Sequence, residues 1–172
     1  GQINGALRIL ITLTLIALAP TIIIMMTSFT RIIIVLHFTR SALNTQTAPP
    51  NQILIGLALI LTFFIMEPTI TRINVELFMD IAGQEWDGTL EDIPNSVLVP
   101  SFMISELRMA FWIGFMIYIP FIVIDMVVAS TLMSMGMMML PPTTISMPFK
   151  ILLFVLADGW ALIIGQLVQT FY

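Results

Sequence analysis

Five ionisable residues, Glu106, Arg108, Asp125, Lys150 and Asp158, lie within or beside long apolar runs of this chain. Charge at bilayer depth is expensive and faces protein or water. Such residues suit two kinds of chemistry. They can relay ions or protons, or they can pair across packed subunits, and the second reading carries more weight. Glu106 and Arg108 are two apart and fall on different faces of a helix, so each needs a partner elsewhere. Lys150 has two acids to choose from, Asp125 and Asp158. The single histidine, His37, has no acid near it in sequence and reads as partly buried or interfacial rather than catalytic. No nucleophile–base set and no glycine-rich phosphate loop followed by lysine occurs. With no cysteine and one histidine, thiolate and multi-histidine metal sites are excluded. No catalysis, metal or cofactor is expected, and the bases are too few and scattered for nucleic acid.

A second unusual feature is "MSMGMMMLPP" (Met133–Pro142), in which five of the first seven residues are methionine. Methionine is unbranched and polarizable and repacks easily. One or two in a helix mean core. A run beside Gly136 and before a proline pair sits at a loop tip. If several copies surround an axis, Met133, Met135, Met137, Met138 and Met139 could form a deformable apolar collar that closes a pore by dewetting. Ordinary core or lipid-facing methionines are the plainer alternative.

Composition says what must position these residues. The chain has 172 residues, is 59% hydrophobic and only 9% charged, and has a mean hydropathy of +1.06. Ordinary soluble domains are roughly 25% charged. So little polar surface cannot cover a soluble core of this size, so the chain is membrane-bound or buried among other subunits. Its start at Gly1 rather than methionine is compatible with a processed or shortened chain. The net charge of −4 is uneven: seven of ten acids fall between Glu67 and Asp92, answered there only by Arg72.

Ile9–Thr30 is uncharged over 22 residues, enough to cross a bilayer. "SALNTQTAPPNQ" (Ser41–Gln52) then bends the chain, and Ile53–Met66 is a second apolar run. The apolar stretch Val97–Leu140 is too long for one span, and Pro120 is expected to divide it. "LPPTTISMPFK" marks a second bend, and Ile151–Tyr172 is expected to be one last helix containing Asp158. The expected fold is all-α and membrane-associated, with two helical hairpins (1–66 and 97–172) joined by an acidic connector (67–96). Gly56, Ala58, Gly114, Ala129, Ser130, Gly136, Gly159 and Gly165 would permit close helix approach in an oligomer. Arg31, Arg40 and Lys150 flank the two bends, which places both bends toward the cytoplasm and the connector outside.

Met26–Pro68 and Val97–Phe171 closely resemble the FliP family of flagellar export-gate proteins and their injectisome homologues, the SctR group. "PPNQ", "SEL", "IDMVVAS", "MGMMMLPP", "PFK" and "DGW" carry the likeness. The resemblance implies a core subunit of the type III export gate in the bacterial inner membrane and flagellar basal body. Its copies, pentameric in the family, would assemble helically with FliQ and FliR, with FlhB associated, around a passage for unfolded flagellar proteins. It implies that Met135, Met137, Met138 and Met139, with Met133 at the margin, line the closed gate, that Glu106 lies at a subunit contact, and that the connector faces the periplasm. Family members have a longer segment between the halves, whereas Met79–Pro94 here is only 16 residues. An ion channel or secondary transporter subunit, coupling ions through Glu106, Asp125 and Asp158, is the alternative of a different class.

Overall fold

The computed structural model describes residues 2–81 and 95–172, with side chains described in 4–67, at 100 and in 102–172. Among these residues there are six helices and no strand: α1 (Gln2–Met25), α2 (Phe29–Ala42), α3 (Asn51–Ile81), α4 (Asn95–Ser134), α5 (Pro142–Leu156) and α6 (Gly159–Gln169).

The first apolar run is split. α1 stops at Met25, and Met26–Ser28 separates it from α2. Pro20, inside α1, does not interrupt it. Within α1, Asn4–Met25 is long and apolar enough to cross a membrane, and none of it is covered by the rest of the chain. The hydroxyls of Thr12 and Thr14 donate to the carbonyls of Arg8 and Leu10, both at 2.8 Å, so polar groups in an apolar helix are satisfied locally.

α2 is the hub. It packs most extensively against α4, then against α3, and touches α1. Its buried residues, Arg31, Ile32, Val35, Leu36, Thr39 and Arg40, recur at helical spacing and cover one broad face. Ile32, Val35 and Leu36 meet Leu54, Ala58 and Ile65 of α3, Ala110 of α4 and Leu167 of α6. Gly114 of α4 lets α2 come close: a Cβ there would stand 2.6 Å from the Phe38 ring. Phe38 also packs edge-on against Phe111 and Tyr118, with centroids 5.4 and 5.9 Å away. A second cluster joins Ala42 and Leu43 to Phe121 and Phe154.

Three expectations about helix limits are corrected. Pro120 does not divide the long apolar run, because α4 continues through it and through Pro100. A proline inside a helix loses one backbone hydrogen bond, which apolar packing tolerates. At about 1.5 Å per residue, the 40 residues of α4 extend about 60 Å, twice a bilayer's hydrocarbon thickness. The last apolar run is two helices, bent by 66° at Ala157–Asp158. Asp158 takes the left-handed conformation at φ +50°, which ends α5 and starts α6; short polar residues enter that region at lowest cost after glycine. The second apolar run does not end at Met66, since α3 runs on to Ile81 and the first part of the acidic stretch is helical. Positions 82–94 lie outside the described residues, so Glu85, Asp87, Glu91 and Asp92 are not placed.

By length and composition, two helices among the described residues can cross a membrane, or three if the bent α5–α6 pair is one span. The outer faces are strongly apolar, with Phe63, Phe64, Trp112 and Leu156 among many exposed large side chains. Monomeric soluble proteins do not leave patches of that extent bare.

Candidate functional site

Among the described residues, two ion pairs, one buried and one part-buried, cross between helices and fix α4. Arg31, near the start of α2, donates from Nη2 to Glu106 Oε1 of α4 at 2.5 Å. Both side chains are more than nine-tenths buried. Arg31 Nη1 also donates to the Thr170 carbonyl and hydroxyl just beyond α6, each at 3.2 Å. Its guanidinium lies 4.0 Å from the centroid of the Phe171 ring. One cation therefore ties α2, α4 and the end of α6, helped by the negative end of the α6 dipole. Arg31 Nε and Glu106 Oε2 are buried without a partner among the described residues.

The second pair lies where α4 meets α5. Lys150 Nζ donates to Asp125 Oδ2 at 2.7 Å. The lysine is 2% exposed and among the most deeply buried side chains of the molecule. The Ser146 hydroxyl bonds to Asp125 Oδ1 and to the Thr143 carbonyl. Ser146 and Lys150 are four apart, so one face of α5 presents both groups to one carboxylate. Of the two acids open to Lys150 in sequence, the structure selects Asp125. Asp158 is exposed at the α5–α6 bend, and Arg108 is exposed on α4. Neither forms an ion pair among the described residues.

A third polar node sits at the first bend. Arg40 Nη1 donates to the Pro49 carbonyl at 3.2 Å and to Asn51 Oδ1 at 2.5 Å, and Nη2 lies 3.0 Å from His37 Nδ1. His37 is exposed. Asn44, left-handed at φ +60°, donates from Nδ2 to the Thr143 carbonyl at 3.2 Å, so the two bends touch.

The methionine tip follows directly from backbone geometry. α4 ends in a hydrogen-bonded cap: Gly136 N–H donates to the Met133 carbonyl at 3.1 Å and Met137 N–H to the Leu132 carbonyl at 3.0 Å. This Schellman pattern needs a left-handed residue at its second-last position, and Gly136 supplies it at φ +76°. Pro141 and Pro142 then start α5, with Pro142 at its first position. Met137, Met138 and Met139 are held between the cap and the prolines; with Met133 and Met135 before it they are all exposed, Met138 at 83% and Met139 at 97%.

The sequence named Glu106, Asp125 and Lys150 but missed Arg31, Ser146 and Thr170. Arg31 had been read only as a charge flanking a bend. The unmet need of Glu106 for a cation was the one signal that pointed to it. No group of three or more His, Asp or Glu able to hold a metal occurs among the described residues.

Comparison with known proteins fits this architecture. The sequence profile of the FliP family matches residues 12–77 and 73–167. The flagellar biosynthetic protein FliP of Bacillus subtilis is 50% identical, over 99% of this chain and 94% of its own length. That of Aquifex aeolicus is 43% identical over 99% of this chain and 88% of its own, and that of Pectobacterium carotovorum 46% over 97% and 79%. The Bacillus alignment extends over 207 positions, more than the 172 residues here, so that relative has residues this chain lacks. The two family matches meet at 73–77, at the acidic stretch. Matched over both halves and almost end to end, the chain belongs to the FliP family.

Proposed function

We infer that the chain is a core, non-enzymatic subunit of the flagellar type III export gate. Several copies, five by family likeness, surround a passage for unfolded flagellar proteins together with FliQ, FliR and FlhB. They sit in the bacterial inner membrane at the basal body, with the acidic connector toward the periplasm. Met133, Met135, Met137, Met138 and Met139 close the passage. The observation that carries this reading is the exposed methionine tip, held at a hydrogen-bonded cap in a chain whose outer surface is otherwise built for burial. Five adjacent flexible apolar side chains facing solvent are costly for a lone monomer. They make sense where tips from several copies meet, exclude water and yield to a passing chain.

Subunit contacts are assigned to Glu106, Arg108, Asp125, Lys150 and Asp158. Arg108 and Asp158 are the exposed members, free to reach another chain. Glu106, Asp125 and Lys150 act there by fixing the helices that carry the contact face. The ion-coupling alternative is weakened because Lys150 and Ser146 occupy both oxygens of Asp125.

Replacing Met137, Met138 and Met139 together by alanine tests the reading. The expected result is an assembled complex and a membrane leaky to small ions. Unchanged ion permeability in cells holding the assembled variant would remove the gate. Asp125→Asn separates the classes: a gate subunit loses export only as far as assembly or gating fails, whereas a transporter keeps its assembly and loses flux.

A further inference from the structure

Of the buried cations, Arg31 and Lys150 each have a carboxylate. Arg40 does not. It is 7% exposed, and its partners are a carbonyl, an amide oxygen and an imidazole nitrogen, all neutral acceptors. No carboxylate of the described residues comes within ion-pair distance of it. A buried cation with only neutral partners keeps an unmet need for an anion.

Arg40 lines a cleft of about 570 Å³ between α2, α3 and α4, within the range of about 300–1,000 Å³ usual for small-molecule sites. Its other polar lining residues include His37, Ser41 and Asn51, and Ile34, Leu54, Ile55 and Phe111 are among the apolar ones. For Nδ1 of His37 to accept from Arg40, the ring proton must be on Nε2, on the side of the ring away from the guanidinium.

We propose that this cleft binds an anionic phospholipid, its phosphate on Arg40 and one acyl chain along Ile34, Leu54, Ile55 and Phe111. Basic pockets between apolar helices suit anionic headgroups, and guanidinium matches phosphate oxygens in pairs. A carboxylate from a neighbouring chain would meet the charge and leave the apolar wall bare, whereas a lipid covers both.

The test is native mass spectrometry of the full chain, purified as its detergent-solubilised assembly, with added dioleoyl phosphatidylglycerol or dioleoyl phosphatidylcholine. The expected result is about tenfold greater retention of phosphatidylglycerol, since a charged hydrogen-bonded contact is worth at least that factor. Arg40→Gln should abolish the preference. Ile55→Trp, which fills the apolar wall, should lower retention of both lipids and leave the assembly intact. Equal retention of the two lipids by the wild type would overturn the proposal. So would an unchanged preference in Arg40→Gln. Displacement of the lipid by millimolar inorganic phosphate would show a headgroup site without the acyl wall. Loss of the oligomer in Arg40→Gln with lipid retention unchanged would assign the site to a neighbouring copy's carboxylate.

Discussion

The α2–α4 junction and the 133–139 tip are both apolar in sequence, yet they avoid water in opposite ways. At the junction, Ile32, Val35, Leu36 and Ala110 are fully buried within one chain, and Gly114 brings the helices close enough to seat Phe38. At the tip, five methionines sit around a glycine cap and all remain exposed, Met138 and Met139 almost wholly. The junction uses branched, rotamer-limited side chains, which pack into one arrangement. The tip uses side chains with three free rotations, which suit a contact that must re-form after each opening. Hydropathy alone does not distinguish the two. Side-chain shape and the cap do.

The comparison is broken most directly at the junction. Glu106→Ala leaves Arg31 buried without its anion and should cost about 3–5 kcal/mol. Thermal or denaturant unfolding of the detergent-solubilised chain measures it. Pairing Glu106→Leu with Arg31→Met should restore most of the loss, because it is the lone charge rather than the missing bridge that destabilises. A charge pair that contributes only at a subunit interface would show no loss in the isolated chain. Next in size, Gly114→Leu drives a side chain into the Phe38 ring and should cost about 1–3 kcal/mol. Adding Phe38→Ala should recover part of it, and a simple sum of the two losses would show that the contact does not limit the packing.

At the tip the effects are smaller in stability and larger in function. Gly136→Ala puts a Cβ on a left-handed residue and should cost about 1–2 kcal/mol, read by the same unfolding measurement. Export and ion tightness should change more than that loss explains, because the cap aims the methionines. The triple alanine variant of Met137, Met138 and Met139 should change stability by less than about 0.5 kcal/mol, as surface substitutions do. A loss as large as that of Gly114→Leu would make the tip part of a core.

Much of this architecture could be read from the residues. The uncharged run of α1, the two proline-marked bends and the methionine cluster were legible because each depends on local composition. Lys150 with Asp125 was within reach, since a hairpin brings two groups on either side of its bend together. Arg31 with Glu106 was not: 75 positions separate them, and only the packing of α2 on α4 makes them neighbours. Pro120 misled because proline is a breaker in water, while a long apolar helix carries it through. Asp158 misled in the other direction. It read as a charge inside a helix, and it is the left-handed residue that ends one. The exposure of the tip followed from Gly136, whose role depends on a backbone conformation that composition does not reveal.

The central claim is that methionine tips from separate copies meet around a shared passage. The chain has no cysteine, so a single Met138→Cys substitution gives one unambiguous reporter. In the assembled complex under mild oxidation, Met138→Cys should form disulfide-linked dimers, since each copy carries one thiol, while Leu156→Cys, equally exposed but on α5, should not. Cross-linking at Leu156 and none at Met138 would place the methionines on the outer surface and contradict the account.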